Sequence, residues 1–181
     1  MTIHIPKIYC FIDELNKDYI TKLKKNIAII YRNYNQKINI NELIKFQIAC
    51  KKNERYFFLS NNPDIAIKLG LDGVYLPSFN KKINYNIYRR KNFLILGSAH
   101  SIPEIKIKEK QKVDCIFLSP LFLTSKSTKF LGLSNFKKLS NHTSRKIIAL
   151  GGLNDKNLNK IKILNIHGYA SISLFKKNYA I

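Results

Sequence analysis

The chain reads as an α/β protein, a single compact (β/α)8 TIM barrel with trimmed helices and loops, and three observations lead there. Short apolar segments rich in β-branched and aromatic residues alternate eight times with polar stretches of helical character. Several segments are nearly continuous apolar runs, as parallel strands buried on both faces are. No Pro-, Gly- or Ser-rich linker divides the chain, so residues 1–181 are read as one barrel domain. The length lies under the roughly 200 residues at the lower end of this fold, so helices and loops must be trimmed. A doubly wound open sheet is the competing architecture; no Gly-x-Gly-x-x-Gly follows the first strand, which weakens it.

The strands are expected at residues 7–12, 27–31, 56–59, 73–76, 93–96, 113–118, 146–150 and 169–174. A first helix is expected within 14–25. The next covers 42–52, capped by Asn41, with Leu43, Ile44, Phe46 and Ile48 on its inner side. Pro63 opens another after Asn61 or Asn62, and Gly70 ends it. A weak helix is expected at 83–90. Ser101 precedes one beginning Ile102-Pro103-Glu104, Ser134 leads into 135–139, and Asn154-Asp155 leads into 156–164, which the His167-Gly168 turn ends.

The balance of 32 basic against 11 acidic residues, +21, suits an anionic partner. Composition competes as the cause: 28 Ile, 27 Lys and 20 Asn all have A/T-rich codons, and the lysines spread over the whole chain. No aromatic-plus-basic RNA-binding motif is present, so nucleic acid ranks last among partners. No apolar run approaches the ~18 residues that span a bilayer, and residues 1–6 lack a signal pattern. Three scattered cysteines argue against a disulfide framework or a zinc cluster and fit a reducing cytoplasm.

A barrel carries its chemistry at the C-terminal ends of its strands. There the sequence places Asp13; Arg32-Asn33-Tyr34; Ser60-Asn61-Asn62; Pro77-Ser78 with Asn80; Ser98 and His100; Ser119-Pro120 and the loop Thr124 to Lys129; Gly151-Gly152; and Ser171 with Ser173 on strand 8. Gly151 and Gly152 with Ser173 suit a phosphate cup of loops 7 and 8, against a plain tight turn. The hydroxyls of Thr124 to Thr128 with Lys126 and Lys129 suit a second phosphate or pyrophosphate, against a solvated loop. Arg32 is the one arginine at a strand end, where a planar fork matches a flat or bidentate partner; a structural ion pair is the alternative. His100 suits acid–base work or a structural hydrogen bond.

Leu71-Asp72-Gly73-Val74-Tyr75-Leu76-Pro77 resembles the strand-4 signature of the thiamine phosphate synthase family. Ser98-Ala99-His100-Ser101 is similar to its strand-5 serine motif. The segment Ile116 to Thr124, followed by Leu131-Gly132-Leu133, resembles its strand-6 motif, and Ile148-Ala149-Leu150-Gly151-Gly152 its strand-7 motif. Ala28 to Arg32 falls where the family carries an arginine-bearing strand 2. The ordered set covers most of the chain.

The resemblance implies a transferase of thiamine biosynthesis. It would join hydroxymethylpyrimidine pyrophosphate to thiazole phosphate, giving thiamine phosphate and pyrophosphate. It further implies that Arg32 contacts the pyrimidine, that Ser98 and Lys126 (or Lys129) bind its pyrophosphate, and that Thr124, Gly152 and Ser173 hold the thiazole phosphate. The family's magnesium-binding aspartates align with Asn61 and Asn80, and Ser60-Asn61 stands for its Asn-Asp pair, so the expected magnesium site has lost its carboxylates. Ile30 and Tyr34 replace the residues flanking the strand-2 arginine. The alternatives are a thiazole-tautomerase-like isomerase, whose histidine base aligns with Pro120, and a non-catalytic binder of a phosphorylated ligand.

Overall fold

A computed structural model describes residues 4–125 and 128–176. Eight parallel strands close into a barrel in chain order: β1 (Ile8–Ile12), β2 (Ile27–Tyr31), β3 (Phe57–Ser60), β4 (Gly73–Leu76), β5 (Leu94–Ala99), β6 (Cys115–Leu118), β7 (Lys146–Leu150) and β8 (Gly168–Ser171). Each pairs with the next, and β8 returns to β1. The helices are α1 (Lys17–Lys22), α2 (Ile40–Lys52), α3 (Pro63–Lys68), α4 (Ile102–Lys110), α5 (Gly132–Ser140) and α6 (Ser173–Lys176).

The apolar runs are continuous because both strand faces are buried. Tyr9, Phe11, Ala28, Ile30, Phe58, Tyr75, Leu94, Leu96, Cys115, Phe117, Ile148 and Ala170 fill the barrel. The alternate positions, Cys10, Ile12, Ile29, Leu59, Val74, Ile95, Ile116 and Ala149, pack outward with the helices. This period of two also sets the mouth. The position two beyond the last interior residue of a strand comes to the C-terminal rim, which selects Asp13, Arg32, Ser60, Ser98, Ser119 and Gly152.

Several boundaries differ from expectation, and side-chain capping explains most of them. Asn39, not Asn41, caps α2: its Oδ1 accepts from the Asn41 and Glu42 N–H groups at 3.1 and 3.3 Å. Asn16 caps α1 in the same way, which sets its start at Lys17, inside the expected span. The segments 83–90 and 156–164 hold only 3₁₀ turns, Asn86–Tyr88 and Leu158–Ile163. In the second, Asn154 Oδ1 accepts from Lys156 and Asn157 while Asn157 Oδ1 accepts from Asn154, side-chain bonds that compete with a helix. Strand 8 does not run to Leu174. Ser171 Oγ accepts from the Leu174 N–H at 3.1 Å, turning the chain so that Ser173 begins α6.

The opposite end of the barrel is locked by polar groups that the sequence did not single out. Buried Arg55 donates to the carbonyls of Leu23, Lys24 and Ile27, which secures the entry to β2. The Asp72 carboxylate accepts from Phe57, the first N–H of β3, and the Asp114 carboxylate from Ile95, the second N–H of β5, each at 2.7 Å. Asp72, the acidic residue of the strand-4 motif, is thus a structural residue far from the mouth.

Candidate functional site

The rim of the barrel is laced by polar contacts between successive loops. Asn33 donates to the Asp13 carbonyl (2.9 Å), joining loops 1 and 2. The Tyr34 hydroxyl lies 2.7 Å from Ser60 Oγ, joining loops 2 and 3. Asn80 Nδ2 donates to Asn61 Oδ1 (2.6 Å) and to the Tyr85 hydroxyl (2.7 Å), joining loops 3 and 4. The Tyr75 hydroxyl faces Ser98 across the paired strands β4 and β5. His100 Nδ1 donates to the Ser119 carbonyl at 2.7 Å, joining loops 5 and 6. The Phe122 N–H reaches the Gly151 carbonyl (3.0 Å), joining loops 6 and 7.

Inside this ring the floor is aromatic. Phe11, Tyr75 and Phe117 meet edge to face at 5.1–6.1 Å, and the Arg32 guanidinium lies 4.8 Å from the Phe11 ring centre. Burial pushes the Tyr75 phenol up to about 12, against the opposing pull of Ser98 and Arg32. Burial raises Tyr34 as well, opposed by Ser60 and Arg32. Both phenols are therefore neutral donors at neutral pH. Guanidinium, phenols and serine hydroxyls thus bring hydrogen-bond donors together at one side of the mouth.

The family model and the curated relatives name one lineage. The family model described as thiamine monophosphate synthase matches residues 17–175. The chain belongs to the thiamine monophosphate synthase family. It is 31% identical to the thiamine-phosphate synthase of Prochlorococcus marinus (strain SARG) over 166 residues, 88% of this chain and 48% of that protein. It is 28% identical to that of Fusobacterium nucleatum over 92% of this chain and 87% of that one. The chain thus spans about half the length of the Prochlorococcus relative and most of the Fusobacterium one. Among solved structures, thiamine phosphate pyrophosphorylase from Pyrococcus furiosus superposes with a TM-score of 0.75 at 22% identity, covering 94% of this chain and 91% of that one, which supports the fold.

Within this family member the structure gathers Arg32, Ser60, Asn61, Asn80, Ser98 and His100 on the rim of loops 2 to 5. Thr124 is half-buried and Lys129 exposed on loop 6, while Lys126 lies outside the described residues. Gly151 and Gly152 are left-handed, at φ +97° and +70°, and a Cβ on Gly152 would lie 2.6 Å from the Phe122 carbonyl group. The close approach of loop 6 therefore demands glycine here whatever else the turn binds. Ser171 is buried and committed to Leu153 and Leu174, so it is a structural residue rather than a rim group; Ser173 is exposed at the start of α6.

Asn61 and Asn80 do not fit a resident magnesium ion. Both are neutral, each amide oxygen already accepts a protein N–H, and no cluster of three His, Cys, Asp or Glu side chains exists among the described residues. A cleft of about 670 Å³ lies beside these two residues, lined also by Lys82, Tyr85 and Tyr88. It flanks the mouth rather than covering it. Sequence reasoning placed Tyr34 at the end of strand 2 without giving it a role, and missed Tyr75. For Tyr75 the signal was present: it is the polar-tipped residue at the interior register of β4.

Proposed function

We propose that the chain condenses hydroxymethylpyrimidine pyrophosphate with thiazole phosphate. The methylene C–O bond breaks, pyrophosphate leaves with the electron pair, and the thiazole nitrogen supplies the pair for the new C–N bond. The observation that carries this reading is the Arg32–Tyr75–Ser98 group above an aromatic floor. It offers a flat surface for a heterocycle beside neutral and cationic donors for a leaving anion. Arg32 contacts the pyrimidine; Ser98, with Lys126 or Lys129, receives the departing pyrophosphate; Thr124, Gly152 and Ser173 hold the thiazole phosphate. The test is an assay for thiamine phosphate, read by fluorescence after oxidation, from the two substrates with magnesium present. Product above a no-enzyme control supports the reading. Binding of thiazole phosphate without product overturns it in favour of a ligand-binding relative.

A further inference from the structure

The hydrogen bonds behind Asn61 form a relay with one direction. Lys108 on α4 is 0% exposed, and its ammonium can only donate. It donates to the carbonyls of Pro77 (2.8 Å) and Asn80 (3.0 Å) and to Gln111 Oε1 (2.9 Å). The last bond fixes the Gln111 amide, whose Nε2 then donates to the carbonyls of Asn80 (3.0 Å) and Lys82 (2.6 Å). The Lys82 backbone N–H, a donor in any arrangement, meets Asn80 Oδ1 at 3.1 Å. Asn80 must therefore turn Nδ2 toward Asn61, and Asn61 must answer with Oδ1, at 2.6 Å. What Asn61 has left on the wall of the cleft is its NH₂ group. The fold makes room for the relay: a Cβ on Gly97 would lie 2.8 Å from Lys108 Cδ.

We propose that this relay turns the Asn61 amide into an N–H donor for the diphosphate of the substrate, so that the mouth between β3 and β4 takes pyrophosphate without a divalent cation. The Lys82 backbone N–H sets the polarity, Lys108 and Gln111 are the positioning residues that hold the Asn80 and Lys82 carbonyls around it, and the cleft carries the Lys82 ammonium beside the Asp64 carboxylate. The inference rests on the diphosphate substrate proposed above. An aspartate at position 61 would accept from Asn80 equally well but offer a second oxygen to the cleft, converting a donor site into an acceptor site by a change of one group. The left-handed backbone there, φ +60°, suits Asn and Asp alike.

The experiment is calorimetry of inorganic pyrophosphate with EDTA and, separately, with magnesium. Wild type binds in EDTA. Asn61→Asp weakens that binding by about tenfold or more and recovers it with magnesium. Lys108→Met also weakens it, yet adds little in the Asn61→Asp background, because both changes act through one amide. A purely structural lysine gives additive effects instead. Should Lys108→Met fail to fold by circular dichroism, Gln111→Leu interrupts the same relay one step later and is read in the same way. Wild-type binding that requires magnesium, or Asn61→Asp binding equally well in EDTA, overturns the inference. Pyrophosphate binding in EDTA without any thiamine phosphate synthesis overturns the proposed reaction and leaves the relay standing. Synthesis with magnesium-dependent pyrophosphate binding does the reverse.

Discussion

Arg32 stands two positions beyond Ile30 on the interior register of β2, so the strand's own pleat delivers its guanidinium to the mouth, over the Phe11 ring. A planar fork lying across an aromatic face is what an ammonium cannot reproduce. Arg32→Lys should therefore lower the rate of thiamine phosphate formation by about a hundredfold, the scale of losing one oriented donor to a developing anion. Its far-UV circular dichroism should stay that of wild type; a rate equal to wild type would remove Arg32 from the site. Tyr75 shows why such a residue is hard to find by eye. In the sequence it is one more aromatic in a buried strand, and only the closed barrel places its hydroxyl against Ser98.

Among the elements, the caps decide where helices begin. Asn39 accepts two N–H groups of the first turn of α2, so Asn39→Ala should cost about 1 kcal/mol in chemical denaturation. Asn41 lies inside that turn, and Asn41→Ala should be close to neutral. A reversal of the two would show that the cap is misplaced. The turn after β7 is more demanding. Gly152→Ala puts a methyl group into the backbone of Phe122 and Leu123 at a left-handed φ, and should cost about 1–3 kcal/mol even without ligand. Stability unchanged by that substitution would mean the turn can open. Caps and turns were only partly legible because neighbouring asparagines compete for one role. In 154–157 the asparagines bond one another's backbone and stop a helix that the apolar pattern alone supports.

At the scale of the whole molecule, the mouth is a ring held together by bonds between loops, and Lys108 carries one of its tension points from within the helix layer. Burial lowers its ammonium to about 8, with Glu104 opposing, so between about 8 and the ordinary value of 10.5 the unfolded chain holds more protons than the folded one. Wild-type stability, measured against Lys108→Met, should be flat below pH 8 and rise from there toward 10.5. A difference that falls with pH across that window would show that the lysine is not held in a desolvated site. The barrel was legible in the amino-acid pattern, because eight two-sided apolar strands with short connectors have few other ways to be buried. So were the family and most of the rim positions, since strand ends and the pleat follow from a period of two. The same pattern placed Asn61 and Asn80 where a metal site was expected. It took the packed fold to show that these amides bond each other, that Lys108 reaches the Asn80 carbonyl through the space left by Gly97, and that Ser171 belongs to the core. Hydrogen-bond partners more than a dozen residues apart are set by how packed layers meet, and local pattern carries no record of that meeting.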